Sequence, residues 1–280
     1  MKKIAIIANS IKDIGYMNTK HLVDYLYGKA EIYMEKSLDV LGLNVNFVEY
    51  DELFEIAETM IVLGGDGTIL QVATPCAKNY IPVVGINLGR VGFITEIEVE
   101  NMKKAIDSLL NDKYAIEKRM LIKLEIIKDG KIAVGYALND VVVSKSANAK
   151  LISTNLFADD EMVTGYIADG LIIATPTGST GYSISAGGPV VDPSMQLFIA
   201  TPICPHKLSA RSAIISANKE IIIRLDKDYR DNEAVVCCDG DIQGYISSGD
   251  EIRITKSQYD FKLIKMGGYS FYDTLMRKLS

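Results

Sequence analysis

The chain has 280 residues, of which 48% are hydrophobic and 24% charged, the usage of a folded globular protein with room for two cores rather than of a disordered or fibrous chain. Its formal net charge of -6 argues against a surface built as a whole for nucleic acid or anionic lipid, while leaving room for a local anion site. No apolar run reaches the roughly 18 residues of a membrane span, and the N-terminal MKKIAIIANSIKDIG turns polar too early for a secretory leader, so the expected setting is the cytoplasm.

Residues 3–9 (KIAIIAN) read as a buried strand, 21–42 (HLVDYLYGKAEIYMEKSLDVLG) as a long amphipathic stretch, and 44–50 (NVNFVEY) as another strand. A strand at 60–65 (MIVLGG), a helix at 68–79 (TILQVATPCAKN) and a strand at 81–87 (IPVVGIN) follow. Such alternation of strand and helix periods is the signature of a Rossmann-like parallel sheet covered by helices. In that kind of sheet the loops leaving the carboxyl ends of the strands form the ligand crevice. GGDG at 64–67 and NLGRVG at 87–92 occupy such loops.

After a helix predicted over 98–112 (EVENMKKAIDSLLND) the pattern changes. Short β-rich segments at 121–127, 132–138, 140–144, 151–157 and 171–175 are separated by turn signals such as KDGK at 128–131 and ADDE at 158–161, the pattern of antiparallel strands. More of them stand at 213–216, 220–225, 234–238, 251–255 and 261–266, and 271–279 (FYDTLMRKL) is helical again. The expected organisation is an α/β domain over 1–100, an all-β, β-sandwich-like domain over 101–265, and a C-terminal segment, 266–280, that returns to the first domain. Cys76, Cys204, Cys237 and Cys238 form no CxxC pair, and His21 and His206 are the only histidines. Neither a disulfide framework nor a structural zinc set is expected, and acid-base chemistry falls to carboxylates or His206.

The GGDGT loop fits neither the GxxxxGK[ST] pattern nor the GxGxxG fingerprint. Gly64, Gly65 and Gly67 can take backbone angles closed to other residues, and with Thr68 they leave amides open to an anion at a helix start. An aspartate is negative at neutral pH, so Asp66 does nothing for anion binding itself. Two chemical tasks suit it: taking a proton from an attacking hydroxyl, or holding Mg²⁺ on phosphates. The plain alternative is a helix N-cap. The second unusual segment is 169–193, DGLIIATPTGSTGYSISAGGPVVDP. Its hydroxyls at Thr175, Thr177, Ser179, Thr180, Tyr182, Ser183 and Ser185 suit a ligand rich in hydroxyl and phosphate oxygens, with a serine-rich surface loop as the alternative.

GGDGT at 64–68, NLGRVGF at 87–93, LND at 138–140, DGLIIATPTGSTGYS at 169–183, AGGP at 186–189 and TPICPH at 201–206 stand in this order. Together they resemble the NAD kinase family over roughly residues 1 to 270. GGDGT alone is similar to the loops of phosphofructokinases and diacylglycerol-type lipid kinases, so TPTGSTGYS is the specific part. The resemblance implies transfer of the terminal phosphoryl group of ATP, or of polyphosphate, to the 2'-hydroxyl of the adenosine ribose of NAD, giving NADP. Mg²⁺ would accompany the donor, with no metal ligand assigned to the protein, and the expected assembly is a homodimer or homotetramer.

By the same resemblance Asp66 is the general base and touches NAD, with Gly67 and the neighbouring amides of Gly64, Gly65 and Thr68 against phosphates. Asn139 and Asp140 hold NAD through ribose and adenine groups, and Asp169 meets the nicotinamide side. Thr180, Gly181, Tyr182 and Ser185 line the adenine and ribose site, Phe93 caps the adenine, and Lys150 supplies a nearby cation. Plain alternatives stand beside these roles: a strand end for Asn139 and Asp140, a loop-bonded carboxylate for Asp169, core packing for Tyr182 and Phe93, and a solvated side chain for Lys150. The chain departs from the family pattern at Asp140 (often Glu), Ile167 (often Arg or His), Gly181 (usually Ala) and Asp241 (often Gln), two residues after the motif aspartate Asp239. The rival functions are a lipid or sugar kinase with the same GGDGT loop and a non-catalytic NAD(P)-binding regulator.

Overall fold

The computed structural model describes residues 1–89, 92–95, 97–146, 150–229, 232–267 and 270–279, so Arg90 and Val91 of NLGRVGF lie outside the described residues. The chain divides into two compact units, one formed by 1–118 with 259–280 and the other by 119–258.

The first unit opens with β1 (Lys3–Ala8), α1 (Met17–Leu26), β2 (Glu31–Glu35), β3 (Asn46–Val48), α2 (Leu53–Ile56) and β4 (Thr59–Gly64). It continues with α3 (Asp66–Lys78), β5 (Val83–Asn87), the short β6 (Ile97–Glu98) and α4 (Met102–Leu110). The strands pair in the order β3, β2, β1, β4, β5, and all these pairs are parallel. Parallel strands are buried on both faces and therefore read as unbroken apolar runs. Ile4, Ile6, Ile61, Leu63, Val84 and Ile86 point into one cluster with Leu22 and Leu26 of α1 and Ile106 and Leu109 of α4. The intervening residues face the other way, where α3 lies so close that a Cβ on Gly85 would press on Ile69 and Thr95. The sharing of that first cluster by α4 explains why residues 102–110 count with the first unit. The stretch 21–42 is not one helix: α1 stops at Leu26, and Glu31–Glu35 alternates buried Ile32 and Met34 with half-buried neighbours, the period of a strand. A window that long averages two periods and hides the shorter one.

The second unit takes in most of β7 (Ala115–Lys128), then β8 (Lys131–Ala137), β9 (Asp140–Lys145), β10 (Ile152–Ala158), β11 (Glu161–Ala168) and β12 (Gly170–Ala174). After a 3-10 turn at Thr177–Thr180 and the one-turn α5 (Tyr182–Ser185) come β13 (Leu197–Ile203), β14 (Ala213–Ser216) and β15 (Ile221–Leu225). β16 (Glu233–Cys238), β17 (Asp241–Ser247) and the first half of β18 (Glu251–Lys265) complete it. One antiparallel sheet runs β14, β13, β12, β9, β16, β17; in the other, β15 joins β10 and β11 to β18. Val143, Leu171 and Phe198 from the first sheet share a core with Ile122 and Leu124 of β7 and with Leu156, Ile223 and Ile254. This is the sandwich expected of alternating β-rich segments. β11, β13 and β17 escape the sequence reading: β13 carries Pro202, and the edge strands β11 and β17 read EMVTGYIA and DIQGYIS with little apolar alternation.

The second half of β18 returns to the first unit, where Leu263 pairs with Val83 of β5, and α6 (Phe271–Leu279) ends the chain there.

Candidate functional site

In the first unit β1 and β4 are neighbours, with β2 beyond one and β5 beyond the other, so the loops after β1 and β4 leave at the point where strand order reverses. That is where an open α/β sheet forms its crevice. Asn9, just past β1, donates its N–H to the Leu63 carbonyl at 2.9 Å and its Nδ2 to Thr68 Oγ1 at 3.1 Å. Its Oδ1 accepts the amides of Ile11 and Lys12, each at 3.1 Å. At the loop's other end the buried Asp13 accepts the amides of Asn18 and Thr19, both at 2.9 Å, and so holds the start of α1. Between these two anchors the Lys12 side chain lies directly over Gly65.

α3 begins at Asp66, with Gly65 as its extended N-cap. The helix therefore presents its free amides and positive dipole end at the glycine loop. Asp66 is not the cap: its carboxylate reaches across to the 92–95 loop. Oδ1 accepts the amides of Ile94 (3.2 Å) and Thr95 (2.9 Å) and the Thr95 hydroxyl (2.9 Å), and Oδ2 accepts the Phe93 amide at 2.8 Å. Thr95 is itself held by Asn87 Nδ2 at 3.1 Å. Gly92 passes so close that any Cβ there would overlap the carboxylate. The Phe93 ring lies 5.9 Å from the Phe271 ring, and the Lys278 ammonium stands 4.7 Å from its centroid.

In the second unit the segment Leu138–Asn139–Asp140 turns into β9, and three walls meet there. Asp239, in the turn between β16 and β17, accepts the amides of Leu138 (2.7 Å), Asn139 (2.8 Å) and Asp140 (3.0 Å). Thr175 Oγ1 donates to the Leu138 carbonyl at 2.6 Å, and the Thr175 amide donates to the Asn139 carbonyl at 2.8 Å. Gly178 packs on the Asn139 backbone with no space for a side chain. Asn139 Oδ1 is buried without a hydrogen-bond partner. Buried polar atoms are nearly always paired, so an orphan acceptor marks a place for a ligand donor. A Cβ at Gly181 would stand 3.4 Å from Asn139 Nδ2 and 3.8 Å from Asp140 Oδ2, which puts Gly181 on the rim of the same corner. Burial, and then the neighbouring Asp239, push the Asp140 carboxyl up to about 7. Burial also raises Asp239, against the pull of its three amides. Of the two, Asp239 has the donors that favour the charged form, so the proton of the pair sits on Asp140.

Several hydroxyls of the glycine-rich segment fold the segment itself. Thr175, Thr177, Ser179 and Ser183 are buried. Ser179 Oγ bonds Val191 on both backbone atoms, and Ser183 Oγ meets Thr201 Oγ1 at 3.1 Å. Tyr182, 47% exposed, and Ser185, also exposed, remain open, while Thr180 Oγ1 donates to the Thr177 carbonyl at 3.3 Å. Asp169 pairs with Lys145 at 2.7 Å. Lys150 is exposed, and its carbonyl accepts from the same Lys145 Nζ at 3.3 Å, so the cation beside Asp169 is Lys145 rather than Lys150. His206 is exposed and its amide donates to the Ile167 carbonyl at 2.8 Å.

Asn9, Lys12, Thr95 and Lys145 had no place in the sequence reading, and Asp239 stood there only as a motif aspartate without a role. For Asn9 and Lys12 the signal was available, since they follow the first strand of a parallel sheet.

Comparison with known proteins bears on the family. Residues 4–114 match the family model for the ATP-NAD kinase N-terminal domain, and 138–266 match the one for the ATP-NAD kinase C-terminal domain. An NAD kinase of Lachnoclostridium phytofermentans is 40% identical over 99% of this chain and 99% of its own length. One from Caldanaerobacter subterraneus is 38% identical over 100% of this chain and 99% of its own. Among solved structures, an NAD kinase from Archaeoglobus fulgidus in complex with ATP superposes with a TM-score of 0.74 at 27% identity, covering 99% of this chain and 98% of that one. Yeast NADH kinase complexed with NADH shares the fold, with a TM-score of 0.87 at 22% identity over 99% of this chain and 86% of that one. With both family models matched in order along the chain and full-length relatives this similar, the chain belongs to the NAD kinase family.

Proposed function

We propose that this enzyme transfers the terminal phosphoryl group of ATP to the 2'-hydroxyl of the adenosine ribose of NAD, with Asp66 as the general base. The observation that carries the reading is the Asp66 carboxylate itself, fixed at the start of α3 by the Phe93, Ile94 and Thr95 amides. Oδ1 already receives three donors, whereas Oδ2 receives one and keeps a lone pair for a hydroxyl proton. As the O–P bond forms, that proton passes to Oδ2 and ADP leaves. The Gly67 amide at the start of α3 and the Lys12 ammonium suit the phosphates. Asn139, Asp140, Gly181, Tyr182 and Ser185 serve the adenosine half of NAD, with the orphan Asn139 Oδ1 as acceptor for a ligand N–H or O–H. Asp169 and Lys145 serve the nicotinamide side as a charge-balanced pair.

Among the described residues no group of three His, Cys, Asp or Glu side chains is placed to cage a cation. A divalent ion, Mg²⁺ in our reading, would come with the donor's phosphates and neutralise their charge when bound. Among the described residues no helix is long and apolar enough to cross a membrane. For assembly we favour a homodimer or homotetramer through the second unit, where Ile242 and Tyr245 stand exposed on the edge strand β17 and Ile132 and Val134 on β8.

Purified protein incubated with NAD, Mg²⁺ and ATP should yield NADP and ADP in equal amounts. Asp66→Asn should keep NAD binding within a few-fold and lose on the order of 10² to 10⁴ in kcat. Turnover close to that of the parent enzyme would remove Asp66 from the base role.

A further inference from the structure

The corner that carries Asn139 and Asp140 is shaped from outside by a carboxylate that belongs to neither strand end. Asp239 gathers three consecutive amides, at 2.7, 2.8 and 3.0 Å, across about a hundred residues of sequence. Its own amide donates back to the Asp140 carbonyl at 3.0 Å. Three converging N–H groups need an acceptor with two oxygens and full charge, since charge-assisted bonds of this kind are roughly twice as strong as neutral ones. The side chains that leave this clamped backbone are the orphaned Asn139 and the buried Asp140.

We propose that Asp239 is a positioning residue for NAD, holding the Asn139–Asp140 corner in its binding shape and linking dinucleotide binding to a proton on Asp140. The inference rests on the reading that Asn139 and Asp140 hold NAD. Asp239 need not touch the ligand; it acts through the backbone it clamps and through its charge. The groups facing the pair are Cys237 and Cys238 on β16 and Asp241 at the start of β17, while the Gly178–Gly181 side of the corner brings no titratable group. Burial holds both thiols in the neutral form, so the electrostatics at Asp140 are set by burial and by Asp239. A ribose hydroxyl donates to a carboxylate, so NAD selects the ionised form of Asp140 and gives the proton of the pair to solvent.

A plain structural role for Asp239 is available and can be separated. With φ of 48° at Asp239 and 95° at Gly240, the pair forms the tight turn between β16 and β17. Asn-Gly serves such a turn as well as Asp-Gly. Asp239→Asn therefore preserves the turn while removing one acceptor oxygen and the charge.

The test measures NAD binding by calorimetry and KM for NAD between pH 6 and 8, in the parent enzyme, in Asp239→Asn and in Asn139→Ala. In the parent, NAD affinity should rise roughly tenfold across this range as Asp140 ionises. In Asp239→Asn, KM for NAD should rise by about tenfold or more while kcat stays within about threefold, and the pH inflection should move to lower pH. An Asp239→Asn enzyme with the parent's KM and the parent's inflection overturns the proposal. So does a flat pH profile in the parent, a result that requires no variant to fold. If Asn139→Ala also leaves NAD affinity unchanged, the reading of the corner as the NAD site fails as a whole; if Asn139→Ala weakens NAD and Asp239→Asn does not, only the positioning role fails.

Discussion

Asp66 Oδ1 accepts both the amide and the hydroxyl of Thr95, each at 2.9 Å, so the carboxylate is tied to one residue by two bonds. Its orientation is thus a property of the 92–95 loop as much as of α3. Gly92 belongs to this arrangement because a methyl group there would occupy the space of the carboxylate. Gly92→Ala must push Asp66 off its amides, and displacement of a catalytic group by about 1 Å costs on the order of 10² in rate. The expected result is a kcat lowered by at least that factor with a folded second unit, read from turnover assays beside circular dichroism. A Gly92→Ala enzyme within threefold of the parent would show that this placement of the carboxylate is dispensable.

Lys12 gives a prediction about the donor. Its ammonium lies over Gly65, at the end of α3 where free amides collect, and Asn9 fixes the backbone that delivers it. A hydrogen bond from a charged donor is worth about 1.5–3 kcal/mol. Lys12→Gln should raise KM for ATP roughly tenfold or more while NAD affinity measured without ATP stays within about twofold. An unchanged KM for ATP across salt concentrations would mean that Lys12 only covers the loop.

These two residues also mark how far the sequence can be read. The parallel sheet was legible because strands buried on both faces carry unbroken apolar runs, as in Thr59–Gly64. GGDGT and TPTGSTGYS were legible because glycines and hydroxyls in such density have few structural uses. Lys12, Lys145 and Asp239 were not, since each acts on a residue distant in sequence: Asp239 reaches back about a hundred positions to Leu138. The hydroxyls of Ser179 and Ser183 misled in the opposite direction, because a hydroxyl that satisfies a buried backbone looks the same in sequence as one that meets a ligand.

The Lys145–Asp169 pair predicts a change in specificity rather than in stability. Both side chains are more than a third exposed, at 38% and 36%, and exposed ion pairs contribute about 0–1 kcal/mol. Lys145→Ala should therefore leave the melting temperature nearly unchanged. It removes the cation that balances Asp169, so a positively charged nicotinamide ring gains relative to a neutral one. The ratio of kcat/KM for NAD over NADH should rise several-fold in Lys145→Ala, by an amount that salt reduces. A ratio equal to the parent's would place Asp169 away from the nicotinamide.

Asp140 sets a cost of the site on the fold. Its carboxyl is 6% exposed and is pushed up to about 7 from an unfolded value near 3.8. Between those two pH values the folded chain binds more protons than the unfolded one, so this group's contribution to stability falls as pH rises from about 4 to 7 and is flat beyond. The ceiling is about 4 kcal/mol, at about 1.4 kcal/mol for each unit. Asp140→Asn removes the titration and keeps the shape. Relative to the parent, the variant should gain roughly 2.5 kcal/mol of stability between pH 5 and pH 8, read from urea denaturation at several pH values. The same change should weaken NAD binding, because the amide cannot become the charged acceptor that ribose hydroxyls select. Binding residues often oppose stability in this way, as a buried charge prepared for a ligand is unfavourable until the ligand arrives. If Asp140→Asn and the parent keep a constant stability difference from pH 5 to 8, Asp140 titrates alike in folded and unfolded chains and is not the buried acid of this corner.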